Sequence, residues 1–214
     1  MKNKIITTFA LLFGCLQCQS LYALGPIDGE VGVAFWNNHF EADIANGELD
    51  VGTTLAHGEV WLFNEWGVRG AYYDSDLEES EFSNQNRTQL EVRKRFLSLG
   101  DNNFLAFGAG LENIALKSGQ ESDGLRFSAE ARLGLPSTVF LYGKAAWSPS
   151  LQSTSEFDDI SSNEVEVGVH FTPAPFVSLR LGYLQYELNY TNAVSGVDGD
   201  SASSGFFVGA GVHW

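Results

Sequence analysis

The stretch Phe206-Phe207-Val208-Gly209-Ala210-Gly211-Val212-His213-Trp214 decides how the rest of the chain is read. Successive side chains of a strand point to opposite faces. Phe206, Val208, Ala210, Val212 and Trp214 therefore share one face, and Phe207, Gly209, Gly211 and His213 the other. The same period of two recurs upstream. Val177, Leu179, Leu181 and Tyr183 oppose Ser178, Arg180 and Gly182, and Val165, Val167, Val169 and Phe171 oppose Glu164, Glu166, Gly168 and His170. Leu125, Phe127, Ala129, Ala131, Leu133 and Leu135 oppose Arg126, Ser128, Glu130 and Arg132. Leu105, Phe107, Ala109 and Leu111 oppose Ala106, Gly108, Gly110 and Glu112, and Val31, Val33 and Phe35 oppose Glu30, Gly32 and Ala34.

Alternation alone does not separate a membrane wall from a soluble sandwich. The connections do. Strands are expected over 29–36, 48–62, 66–76, 87–98, 103–117, 125–135, 138–148, 163–172, 176–190 and 205–214. Short connections fall at 63–65, 99–102, 136–137 and 173–175, and long ones at 37–47, 77–86, 118–124, 149–162 and 191–204. Short turns at one end and long loops at the other mark a transmembrane barrel. The expected fold is an all-β, closed, antiparallel up-and-down barrel of about ten strands. A count of about eight, with one early hairpin lost to loops, stays open. An even count puts both chain ends on the short-turn, periplasmic side. Phe206, Val208, Ala210, Val212 and Trp214 then resemble the terminal assembly signal of outer-membrane barrels, which makes the barrel-assembly machinery an expected partner. Two places fit badly. Lys94 falls on the apolar face between Val92 and Phe96, and the apolar phase slips near His57 and Gly58, where a bulge is expected.

Residues 1–23 read as a cleaved secretory signal, leaving 24–214 as the barrel. Lys2 and Lys4 precede the apolar run Ile5–Phe13, and Leu21-Tyr22-Ala23 supplies the cleavage site. The run is shorter than the about 20 residues a helical span needs. A lipoprotein signal around Cys15 is disfavoured by the bulky Phe13. Cys15 and Cys18 both leave with the signal, which excludes disulfides and thiolate chemistry from the mature chain. Removing Lys2 and Lys4 leaves 10 basic against 27 acidic residues, a net charge of −17, so nucleic acid is excluded as a partner.

Leu141-Tyr142-Gly143, Trp147-Ser148-Pro149-Ser150-Leu151, Leu179-Arg180-Leu181-Gly182-Tyr183-Leu184 and the final Phe-Val-Gly-Ala-Gly stretch resemble the YfaZ family of outer-membrane proteins. The resemblance covers 138–214. It implies an outer-membrane barrel, described as porin-like, and no catalytic residues.

Sorted by face, the inward charges are expected to be Glu30, Glu48, Asp50, Glu91, Glu112, Glu130, Glu164 and Glu166 with Arg69, Arg93, Arg95, Arg126, Arg132, Lys144 and Arg180. Charges in a low-dielectric wall need partners. They form either a salt-bridged plug or the lining of a narrow channel for small solutes. The acidic excess, from Glu41, Asp43 and Asp74 to Glu156, Asp158, Asp159, Asp198 and Asp200, lies in loops and strand tips. There it faces outer-membrane lipid and lipopolysaccharide, which divalent cations could bridge, although no defined calcium loop is present. His39 stands near Glu41 and Asp43, the pairing a surface hydrolase would use, but neither Gly-x-Ser-x-Gly nor His-Glu-x-x-His occurs. No catalytic, cofactor-binding or metal-ligating residue is assigned. An enzyme using His39 and an adhesion protein using the acidic loops are the alternatives to a porin-like or structural barrel.

Overall fold

A computed structural model describes residues 27–42, 47–75, 86–98, 103–115, 120–135 and 138–214. The expected signal and its cleavage site, and the side chain of Glu48, lie outside the described residues. Ten strands follow in order: β1 (Ile27–Ala42), β2 (Gly47–Leu62), β3 (Trp66–Ser75), β4 (Asn86–Ser98), β5 (Phe104–Ala115), β6 (Glu121–Gly134), β7 (Val139–Ser148), β8 (Phe157–Ala174), β9 (Val177–Asn192) and β10 (Asp198–His213). Each pairs antiparallel with its sequence neighbours, and β1 pairs with β10 from Glu30–His213 to Ala42–Ser201. The barrel is closed, with ten strands rather than eight.

Closure removes every sheet edge, which is what lets a β-structure sit in lipid. The strand faces segregate as the alternation requires. Leu90, Leu111, Leu125, Leu181, Phe206 and Val208 stand outward and exposed, whereas Phe207, Leu184, Trp36 and Leu55 are buried inside.

The short turns and both ends of the described chain lie at one rim, here the turn rim. Phe63 and Asn64 close the β2–β3 hairpin with φ of 52° and 58°, and Glu65 N donates to Leu62 O at 3.1 Å. Two central residues at positive φ make the tight turn that matches strand twist. At the opposite loop rim, β1, β2, β9 and β10 each run 16 residues and β8 runs 18. About 9–11 residues cross a bilayer. These five neighbouring strands thus form a raised wall, while β3 and β7 have only 10 residues each.

Strand ends were less legible than strand centres. β1 continues to Ala42 rather than ending at 36, β8 starts at Phe157 rather than 163, and β10 at Asp198 rather than 205. Polar residues such as Asn37, Ser161 and Ser203 look like loop, yet backbone pairing carries the ladder through them. The expected bulge near His57 is absent, since pairing of β2 with β1 and β3 is unbroken there. Val51, Leu55 and Trp61 are inward, so a partly apolar lumen, not a change of phase, produced the apparent slip. A bulge does occur at Phe96, between the pairs Arg95–Ala106 and Leu97–Leu105. Lys94, just before it, stays on the outer wall with Nζ 4.7 Å from the centre of the Trp66 ring. Outward exposure is tolerable there because a π-face partly replaces water around the ammonium.

Candidate functional site

The interior is the candidate site, and its charges occupy successive levels. At mid-height Arg126, with no exposed surface, is ringed by three carboxylates. Its Nε donates to Glu91 Oε1 at 2.8 Å and its Nη1 to Glu112 Oε1 at 3.2 Å, while Nη2 lies 2.9 Å from Glu164 Oε1. Lys144 Nζ donates to the same Glu164 oxygen at 2.6 Å. The remaining acceptor sites are also used. Ser148 and Ser162 donate to Glu112 Oε2 at 2.5 and 2.6 Å, Ser128 to Glu91 Oε2 at 2.9 Å, and Gln89 to Glu164 Oε2 at 2.9 Å. Buried carboxylates are tolerated when their oxygens are paired in this way.

Towards the turn rim a second level joins Arg93 and Arg132 to Glu59 and Glu130. Arg93 Nη2 donates to Glu130 Oε2 at 2.7 Å and Nη1 to Glu59. Arg132 Nη2 reaches Glu59 Oε1 at 3.2 Å, and its Nε reaches Glu130 Oε1 at 2.5 Å. Between the levels, Glu166 Oε1 accepts from Tyr142 at 2.8 Å and from Arg180 Nη2 at 3.1 Å, and Arg69 Nη2 lies 3.8 Å from Glu166 Oε2. A cavity of about 10 Å³ bordered by Glu30, His57, Arg69 and Arg180 is no larger than one water.

Towards the loop rim the filling turns apolar. Ile114, Leu151, Phe157, Ile160, Leu188 and Tyr190 belong to one buried cluster with Trp36 and Tyr73. Arg87 enters it with its guanidinium 3.9 Å from the Tyr73 ring centre and 3.7 Å from that of Tyr186. Its Nη2 lies 3.1 Å from Glu164 Oε2. Leu151 comes from the connection after β7, which folds back over the lumen: Leu151 N donates to Ile160 O and Gln152 N to Asp123 O, both at 2.8 Å. The approach needs a glycine beneath it, because a Cβ on Gly124 would meet Ser150 O at 2.5 Å.

The structure brings Glu91, Arg93, Glu112, Arg126, Glu130, Arg132, Lys144, Glu164, Glu166 and Arg180 into this network, with Arg95 beside it at the turn rim. Asp50 is a correction. It lies on the outer phase of β2 with its side chain 83% exposed, and its oxygen is 3.0 Å from His39 Nδ1. The lumen is already filled on that side by Val51 and Thr53. Glu59 and Arg87, buried parts of the network, were missed by the sequence reading. The available signal was parity, since Arg87 alternates in phase with Gln89, Glu91 and Arg93, and Glu59 with His57 and Trp61.

His39 stands on β1, not in a loop. It faces outward, with Nε2 3.6 Å from Glu41 and Nδ1 beside Asp50, while Asp43 lies outside the described residues. Phe206 and Val208 face outward, as the alternation of β10 requires. Trp214 exchanges backbone hydrogen bonds with Gly29, at 3.0 and 3.1 Å.

No protein-family profile matches the chain, and no curated protein does. Solved structures do. The outer-membrane protease OmpT of Escherichia coli superposes with a TM-score of 0.53 at 10% identity, covering 89% of this chain and 97% of OmpT. The fold is that of the outer-membrane β-barrels. The Neisserial surface protein NspA is similar at 13% identity and a TM-score of 0.40, over 88% of this chain and 97% of NspA. The attachment invasion locus protein Ail of Yersinia pestis gives 13% and 0.34, over 87% of this chain and 98% of Ail.

Proposed function

We propose that this chain is a sealed outer-membrane barrel that conducts no solute and meets its partners through its loop rim. The observation that carries this reading is Arg126, wholly buried at mid-lumen and held by carboxylates from β4, β5 and β8. Arg69 on β3 also meets Glu166 on β8, on the opposite wall, at 3.8 Å, so the network reaches from wall to wall. A conducting pore of this strand number needs a continuous wet path, and small barrels have little interior beyond their side chains. The outward apolar belt supports residence in the outer membrane, with the short turns on the periplasmic side. The quoted YfaZ-like segments fall on β7, the connection folded over the lumen, β9 and β10, and an outer-membrane barrel is the fold that this resemblance implies. Exposed Asp74, Glu121, Glu156, Asp158, Asp159 and Asp198 give the loop rim an acidic surface suited to cation-bridged lipopolysaccharide.

Single-channel recording of the refolded protein tests the seal. A flat baseline at applied voltages of either sign is expected, and reproducible unitary steps would overturn the reading. Catalysis is left out of the proposal because His39 faces outward and both ring nitrogens turn towards carboxylates rather than a nucleophile. Hydrolysis of lipid or peptide that disappears in His39→Ala would reinstate it.

A further inference from the structure

Below the plug, the lumen opens at the turn rim into a vestibule of about 700 Å³, a volume that suits a small molecule. Trp61, Phe140 and His170 form part of its wall, and Arg95 and Arg132 supply its positive charge. Arg95 is 5% exposed, and its guanidinium stacks 4.0 Å from the Trp61 ring centre and 4.2 Å from that of Phe104. Stacking fixes the fork without occupying its donors. Among the described residues Nε and Nη1 have no hydrogen-bond partner, and Nη2 forms a long ion pair with Asp28 Oδ2, at 3.8 Å, beyond hydrogen-bonding distance. Asp28 itself sits at the mouth with its side chain 54% exposed.

The charge balance points the same way. Glu59 and Glu130 are each shared between Arg93 and Arg132, so neither serves Arg95. Glu30 is turned to His57 and Ser178. Among the described residues three guanidiniums thus share two carboxylates at the vestibule floor, and Arg95 has in addition only the long ion pair to Asp28 at the rim. An added carboxylate would take the hydrogen-bonding place beside Arg95 that Asp28, at 3.8 Å, leaves open. A second negative charge would meet Asp28 and Glu30, which also line the space.

We infer that the turn-rim vestibule binds a small monocarboxylate with an apolar body, its carboxylate taken by Arg95 and its body lying against Trp61 and Phe140. A rigid, stacked guanidinium loses little entropy in forming a bidentate pair with a carboxylate. The site is closed above by the plug, so the ligand enters and leaves by the turn rim and is bound, not passed through.

The test is a fluorine NMR titration of the refolded chain with 4-fluorobenzoate, against the uncharged 4-fluorobenzamide and the dianionic 4-fluorophenyl phosphate. Saturable binding of the benzoate at least about tenfold tighter than the amide is expected, the usual size of a charge-assisted contact. Arg95→Met, which keeps the stem between the rings, should remove that preference. Asp28→Asn, at an exposed position without a role in the plug, should tighten benzoate binding several-fold. Equal binding of acid and amide, absence of saturation in both wild type and Asp28→Asn, or an unchanged preference in a folded Arg95→Met would overturn the assignment. Tighter binding of the phosphate would overturn the monocharged ligand class.

Discussion

Arg126 on β6 donates through Nε to Glu91 on β4 at 2.8 Å, reaching past β5 on the lumen side of the wall. The contact ties walls that are not neighbours in the sheet. Ladder hydrogen bonds hold adjacent strands only, so pairs of this kind, which skip a strand, help hold the curvature of a small barrel. The network therefore braces the barrel, and one substitution tests it.

Arg126→Met removes the charge and keeps much of the volume. Glu91, Glu112 and Glu164, all buried, then lose a shared partner. Breaking one side of a buried pair costs about 3–5 kcal/mol. Urea unfolding of the refolded protein in detergent should show a loss of that order. The triple change Arg126→Met with Glu91→Gln and Glu112→Gln should recover part of it, because the stranded charges go too. Equal stability of wild type and Arg126→Met would sink the bracing argument.

Lys94 gives a prediction on the lipid side. Its ammonium lies 4.7 Å from the Trp66 ring centre and 6.0 Å from that of Phe96. Such contacts are worth about 0.5–1 kcal/mol at exposed positions. Lys94→Met should be nearly neutral, because the outer wall accepts an apolar chain. Lys94→Glu replaces attraction to two π-faces with repulsion and should lower the yield of folded barrel. Comparable heat-modifiable band intensity for both variants on unboiled gels would count against this account.

The connection after β7 supplies a third. A side chain on Gly124 would strike Ser150 O and the Leu151 side chain, which is 4% exposed. Gly124→Val should push 149–152 off the loop-rim core while leaving the ladder intact. Limited proteolysis on intact cells should then cut this connection faster than in wild type. An unchanged digestion pattern would mean that the cover accommodates the added methyls.

How far the fold could be read follows from which force set each feature. The lipid-facing phase was legible because lipid rejects polar side chains at every second position, as in Leu179, Leu181 and Tyr183. The inward phase was legible only where charges marked it. On β2 it carries Val51, Leu55 and Trp61 beside His57 and Glu59, and this mixed face was mistaken for a phase slip. Strand ends such as Asp198–Ser204 are held by backbone pairing, which leaves no compositional mark. Pairing partners across the lumen were not legible either. Arg126 meets Glu164 although 38 positions separate them in the chain, a contact fixed by the curvature of closure rather than by local pattern.

The last prediction concerns the chain's final strand. Trp214 and Gly29 exchange backbone hydrogen bonds at the turn rim, so the terminal residue completes the β1–β10 seam. A Cβ on Gly29 would come within 2.5 Å of the Trp214 ring, which shows how closely the ring covers this strand. The structure gives this side chain a role as cover of the seam, and the assembly signal expected from the sequence would add recognition before insertion. Trp214→Ala should lower both the inserted fraction in cells and the stability of the purified barrel. Trp214→Phe keeps a terminal aromatic and should restore insertion, while leaving part of the seam contact unfilled. Gly29→Ala, which crowds the ring and the Glu59 carbonyl while leaving Trp214 in place, should cost stability with near-normal insertion. Quantifying heat-modifiable barrel in outer-membrane fractions, alongside urea midpoints of refolded protein, distinguishes the roles. Normal insertion of Trp214→Ala would show that the aromatic end serves the folded seam alone.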